Sequence, residues 1–189
     1  MKQLIFLCLF AALVLESTSR IVMTKDQWVQ KLMTLARSPS KYSNKYPYNV
    51  LYYDGSRWYA DCSNLMKALF NGRDINDKTP NKYQADLSNT GDVDADTLIE
   101  YCSDLSTDFG ALREGEPRLI HMSGHMGAYL GQEVSTSFGT CNVVECTPAW
   151  DNGIQFSYVD DGGRRLRGRD GAQKGTWTRH GRPSSWVQY

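Results

Sequence analysis

The chain has 189 residues, with 21 basic and 21 acidic side chains and no formal net charge. That balance leaves no electrostatic footprint for nucleic acid, which calls for a clustered excess of Lys and Arg. One local basic run, Arg164, Arg165, Arg167 and Arg169 among Gly162, Gly163 and Gly168, reads as a solvated hairpin tip rather than an anion-binding patch.

In chain order, Met1 and Lys2 give a short positive start, an apolar run from Leu4 to Leu15 follows, and the small residues Ser17 and Ser19 come next. Charge, apolar core and small-residue exit in that order predict a secretory signal peptide over 1–19, cleaved near Ser19, and hence a secreted, extracellular protein. A spanning helix needs about 20 apolar residues. This run stops at Glu16, so no membrane span is expected after the leader is removed. The remainder, 20–189, is about 170 residues and fits one domain with a sizeable core; a monomer is expected.

Thr24 is a plausible N-cap for a helix over Lys25 to Arg37, where Trp28, Leu32, Leu35 and Ala36 recur at helical spacing and Pro39 marks the stop. Lys41 to Asp61 is irregular and aromatic. Tyr48, Tyr52, Tyr53, Trp58 and Tyr59 crowd there and read as one wall of a groove. Asp61 to Phe70 predicts a second helix with Leu65, Met66, Leu69 and Phe70 as its apolar stripe and Asn71-Gly72 as its stop. Asp94 to Cys102 predicts a third, short one. From Arg118 onward the pattern turns to strands: Arg118–Met122, His125–Gly131, Asn142–Cys146, Gln155–Val159 and Thr176–Thr178. Helices first and strands afterwards predict an α+β domain with an antiparallel sheet.

Once Cys8 leaves with the leader, Cys62, Cys102, Cys141 and Cys146 remain, too few for a disulfide scaffold. If one is a catalytic thiol, the other three allow at most one bridge. Cys62 falls where a helix is predicted to begin. Unpaired backbone N–H groups and the helix dipole there should lower a thiol's pKa, and the same amides could donate to an oxyanion. On a strand, Met126, Ala128 and Leu130 face the core while His125, Gly127 and Tyr129 share the other, open face. That places the imidazole away from the apolar residues of its own strand. Glu145 lies amid Val143, Val144 and Cys146, where a carboxylate is costly unless paired. Beside His125 it could accept the second imidazole hydrogen bond. Cys62, His125 and Glu145 therefore make a coherent acyl-transfer set. A metal pair of His121 with His125 is not expected, since Ser123 and Gly124 break any helix that could align them. No metal or cofactor is implied.

Asp61-Cys62-Ser63-Asn64-Leu65 resembles the D-C-S-G-L signature of NlpC-type cysteine peptidases, which cleave bacterial cell-wall peptides. Gly124-His125-Met126-Gly127-Ala128-Tyr129-Leu130-Gly131 resembles that family's H-V-G-I-Y-L-G strand, and Val143-Val144-Glu145-Cys146-Thr147 the following one, which carries its third, polar catalytic residue. The likeness runs from about Tyr46 to Ile154. Asn64 stands in place of the family's Gly, and Glu145 where His, Asn or Gln is commoner. The resemblance implies a papain-like α+β fold, with an N-terminal nucleophile helix packed on an antiparallel sheet. It implies cleavage of peptidoglycan stem peptides, Cys62 as nucleophile, His125 as base and Glu145 as orienting group. Tyr48, Tyr52 or Tyr53 would line the substrate site, with Ser63 and Gly124 beside it. Two other functions fit the same residues: an amidase or acyltransferase, and a non-catalytic secreted domain that binds peptide or glycan.

Overall fold

The computed structural model describes residues 21–44, 51–80 and 87–189. The leader expected over 1–19 and the groove residue Tyr48 lie outside them. The first helix, α1 (Lys25–Ala36), begins at a full capping box: Thr24 Oγ1 accepts from the Gln27 N–H at 3.3 Å, and Gln27 Oε1 accepts from the Thr24 N–H at 3.0 Å. Trp28, Val29, Leu32 and Leu35 form its buried stripe. The second, α2 (Cys62–Phe70), is buried along its whole length, so even Lys67 is enclosed and reaches out to donate to the Val93 carbonyl at 2.7 Å. Asn71 caps its C-terminus, followed by Gly72. The third, α3 (Ala95–Leu98), lasts one turn and tightens into a 3₁₀ segment over Ile99–Tyr101.

Eight strands form one fully antiparallel sheet: β1 (Ser103–Ser106), β2 (Arg118–Met122), β3 (His125–Thr136), β4 (Gly139–Thr147), β5 (Gly153–Val159), β6 (Arg164–Leu166), β7 (Gln173–Thr176) and β8 (Arg179–Arg182). Their spatial order is β7-β6-β5-β4-β3-β2-β8-β1. Consecutive hairpins run from β2 to β7, and β8 then returns to wedge between β2 and β1. Two smaller sheets complete the molecule. Ser40–Tyr42, Trp58–Ala60 and Tyr52–Tyr53 make a three-stranded one, and Met23–Thr24 pairs in parallel with Val187–Gln188.

The expectation of a papain-like, NlpC-type α+β architecture built round a nucleophile helix is overturned. The described chain is mostly sheet, with three short helices. The physical reasons lie in segments whose pattern was weak. The stretch after Tyr158 supplies three strands of the large sheet, and the aromatic stretch before Cys62 supplies three short strands where irregular chain was expected. The third helix ends after one turn.

The sheet's two faces are unequal. Leu119, Met126, Ala128, Leu130, Val144, Ile154 and Phe156 join α1 and α2 in the main core, where Phe70 stacks on Trp186 with ring centroids 4.6 Å apart. On the other face Phe109, Ile120, Tyr129, Val143, Val159 and Trp177 form a smaller cluster. The face expected to be open beside His125 is thus roofed by Trp177. Among the described residues no helix is long and apolar enough to cross a membrane.

Candidate active site

Asp61 fixes the start of α2. Its Oδ1 accepts from the Asn64 N–H at 2.7 Å and from the Ser63 hydroxyl at 3.1 Å, while Oδ2 accepts from Asn64 Nδ2 at 2.8 Å. Such a cap is worth about 1 kcal/mol, and it holds Cys62 at the first helical position. The side chain of Asn64, which replaces the resembled family's glycine, is spent on this cap.

From there Cys62 Sγ meets the turn between β2 and β3. The thiol donates to the Gly124 carbonyl at 4.0 Å, and the N–H of Met126 points to the same sulfur. His125 lies between these two residues. Gly124 sits at φ +69°, a left-handed conformation that suits glycine. Asp96, the first-turn acid of α3, pins this turn by accepting from the Gly124 N–H at 2.8 Å, and it also meets His121 Nε2 at 2.6 Å.

Burial pushes the Cys62 thiol up, the Asp61 carboxylate adds to the rise, and the N–H groups of Met126, Ser63 and Cys62 itself oppose it; the result is about 11. The expectation of a lowered thiol pKa is therefore corrected. The helix-start amides act in the foreseen direction, but desolvation and the capping acid outweigh them. Cys62 rests as a neutral thiol.

His125 Nε2 lies 2.6 Å from Glu145 Oε2, and Glu145 is wholly buried. Gly127 makes the room. It pairs across the ladder with Glu145, and a Cβ added there would stand 3.2 Å from both Glu145 Cβ and Trp177 Cη2. Trp177 stacks over the imidazole, with ring centroids 5.4 Å apart and planes 19° from parallel. Behind Glu145 is Arg165, whose Nη2 donates to Oε2 at 2.6 Å and whose Nε donates to both carboxylate oxygens, at 2.9 and 3.1 Å. Nη2 also donates to Thr147 Oγ1 at 2.9 Å, and Nη1 donates to the Lys174 carbonyl at 3.1 Å. Burial works to raise the Glu145 carboxyl, but the His125 hydrogen bond and the Arg165 guanidinium win and hold it below its usual range.

Arg165 and Trp177 join the site without a local sequence signal that ties them to it. Arg165 belongs to the run read as a solvated tip, and for this residue that reading is wrong: it is 6% exposed, its guanidinium between Trp150 and Trp177. The other members do face outward into ion pairs, Arg164 with Asp160, Arg167 with Asp151 and Arg169 with Glu133. The available signal was Glu145 itself, since a carboxylate inside an apolar strand calls for a cation as well as an imidazole.

Tyr52 is buried with its ring 6.0 Å from Tyr59, and the Tyr53 hydroxyl donates to the Gly55 carbonyl at 3.1 Å. Among the described tyrosines Tyr42, in the same small sheet, has a phenol that feels the site: burial raises its pKa, and so do Cys62, Asp61 and Cys146. Cys146 lies buried under the site, donating to the Ala60 carbonyl at 3.1 Å. Cys62, Cys102, Cys141 and Cys146 are all free thiols. Among the described residues no group of three His, Cys, Asp or Glu side chains is arranged to hold a metal ion.

Compared with models of known protein families, with curated proteins and with solved structures, the chain finds no match.

Proposed function

We propose that the protein is a secreted cysteine hydrolase that cleaves peptide bonds through an acyl-enzyme on Cys62. The observation that carries this reading is the 2.6 Å contact of His125 Nε2 with a fully buried Glu145, next to a turn that holds the Cys62 thiol. An ionised carboxylate only accepts, so Nε2 carries a proton and Nδ1 of the neutral ring is left as the base. Cys62 Sγ attacks the substrate carbonyl carbon while Nδ1 takes the thiol proton. The amide N–H groups of Cys62 and Ser63 at the start of α2, which act on the sulfur in the resting site, then donate to the oxyanion. The proton then passes to the leaving amine as the C–N bond breaks, and water hydrolyses the thioester with His125 again as base.

The substrate class comes from the motif resemblance around Cys62, His125 and Glu145, which points to stem peptides of bacterial peptidoglycan. Digestion of purified peptidoglycan followed by mass spectrometry of the fragments tests this and identifies the bond. New amine and carboxyl ends within the stem support an endopeptidase. Separation of sugar from peptide would make it an amidase, and fragments joined rather than cut would make it an acyltransferase. Cys62→Ala should abolish the products while leaving the thermal midpoint within a few degrees of wild type. Undiminished products from that variant would sink the assignment.

A second reading, a non-catalytic domain that binds peptide or glycan, is favoured by the raised pKa of the Cys62 thiol. Binding of stem fragments with no turnover, unchanged in Cys62→Ala, would establish it instead.

A further inference from the structure

We propose that Arg165 is a positioning residue of this site: by neutralising Glu145 it makes the carboxylate a balanced acceptor that orients the His125 ring without fixing a charge on it. The proposal rests on the hydrolase reading above. Glu145 Oε2 receives three donors, His125 Nε2 at 2.6 Å, Arg165 Nη2 at 2.6 Å and Arg165 Nε at 2.9 Å. The pair is enclosed, with Glu145 at 0% and Arg165 at 6% exposure, so solvent screens it little. A lone carboxylate in that position would draw a second proton onto the imidazole, because a nearby anion favours the charged ring. Both ring nitrogens would then be donors, and the neutral thiol of Cys62 would face no base. With the guanidinium bound, Glu145 and Arg165 together carry no net charge. They act on the ring as a neutral amide acceptor would, while keeping a carboxylate's strict refusal to donate.

The site is built to hold the guanidinium in place. Each nitrogen of Arg165 has an acceptor, Nη1 on the Lys174 carbonyl and Nη2 also on Thr147 Oγ1. Trp150 lies 4.9 Å and Trp177 5.7 Å from its Cζ, and Trp177 is the ring that stacks on His125. One indole thus bridges the cation and the imidazole. Among the described residues the other titratable and charged groups about this end of the sheet include Cys62 and its capping Asp61, Tyr42, Cys146, Asp96 on the Gly124 N–H, His121 on Asp96, Arg179 on His121, and Lys174, whose Nζ lies over Trp150. Arg165 is the cation in direct contact with Glu145.

The test is a charge cycle read on the His125 ring by NMR titration, in wild type, Arg165→Met, Glu145→Gln and the double variant. The His125 signal is assigned by its loss in His125→Gln. Removing Arg165 should raise the ring's titration midpoint by about one to three pH units, and removing the Glu145 charge should lower it by a similar amount. The double variant, neutral again, should return to within about half a unit of wild type. The acid limb of the hydrolysis profile should move in step with the ring. Arg165→Lys should restore the midpoint through its charge while recovering only part of the rate, since a lysine lacks the planar fork. If Arg165→Met does not fold, the Lys variant and Glu145→Gln carry the same comparison. A His125 midpoint unmoved by the charge changes, in an active enzyme, overturns the role of Arg165 alone. Wild-type protein that turns over no peptide while its ring still shifts overturns the hydrolase reading instead.

Discussion

His121 and His125 flank the same turn, and each meets a carboxylate oxygen at 2.6 Å, yet they belong to different regions of the molecule. His121 pairs across the ladder with Met126 on the main-core face, and its partner Asp96 is half exposed on a one-turn helix. His125 pairs with Met122 on the opposite face, and its partner Glu145 is sealed from solvent with a guanidinium behind it. Equal distances therefore describe unequal chemistry. The first pair pins a turn and is open to screening by water. The second forms part of a closed polar chain that a core of this kind holds only when every member is satisfied.

The largest effect that would break this contrast is catalytic. If the proposed hydrolase reading holds, His125→Ala should lower the hydrolysis rate by about a thousandfold or more, and His121→Ala by no more than about tenfold. Initial rates on stem-peptide fragments decide it; comparable losses would make the two histidines equivalent. Next is the Cys62 thiol, held by the turn that the two histidines flank. With a pKa near 11, Cys62 should react slowly with iodoacetamide at pH 7 and about ten times faster with each added pH unit up to pH 10. A rate already level by pH 8 would show an activated thiolate.

Stability sharpens the same comparison. Glu145→Ala leaves a buried arginine without its anion and should cost about 3–5 kcal/mol, whereas Asp96→Ala should cost about 1 kcal/mol, both read from urea unfolding. The smallest effect is the acid limb of stability. Both carboxyls sit below their ordinary range, through the His125 and Arg165 contacts that outweigh burial for Glu145, and through the Gly124 N–H and His121 for Asp96. A depressed native pKa means the unfolded chain binds protons first. Each group's contribution is therefore complete above its unfolded value, 4.5 for Glu145 and 3.8 for Asp96. It is lost as pH falls through the lower native value. The urea midpoint of wild type should fall below about pH 4.5, and Glu145→Gln should flatten that fall. An unchanged slope would mean that Glu145 is not held ionised.

What the sequence made legible was local. Thr24 ahead of Lys25, Asp61 ahead of Cys62, and Asn71-Gly72 after Phe70 each act on backbone groups within a few residues, so short windows reveal them. The alternation at Met126, Ala128 and Leu130 gave the core face of β3 for the same reason. Arg165 and Trp177 were not legible because what defines them is non-local: β6 must pair with β5, and the chain must pass through β7 before Trp177 covers His125. The insertion of β8 between β2 and β1 is of the same kind, and with it the size of the sheet. The thiol's raised pKa was missed because a helix start favours a thiolate, whereas the opposing burial appears only in three dimensions.

Because Val187–Gln188 pairs with Met23–Thr24 and Trp186 stacks on Phe70, the helix that begins at Cys62 is buttressed by segments that leave the ribosome long after it. At ordinary synthesis rates the interval between position 62 and position 187 is on the order of ten seconds. During that time the sulfur is carried on an unfinished chain, and Cys102, Cys141 and Cys146, free and buried thiols in the finished fold, emerge one after another behind it. The clasp between the two ends of the described domain thus also acts as a timer: the helix that carries Cys62 gains its last buttress at Phe70 only when translation reaches position 186.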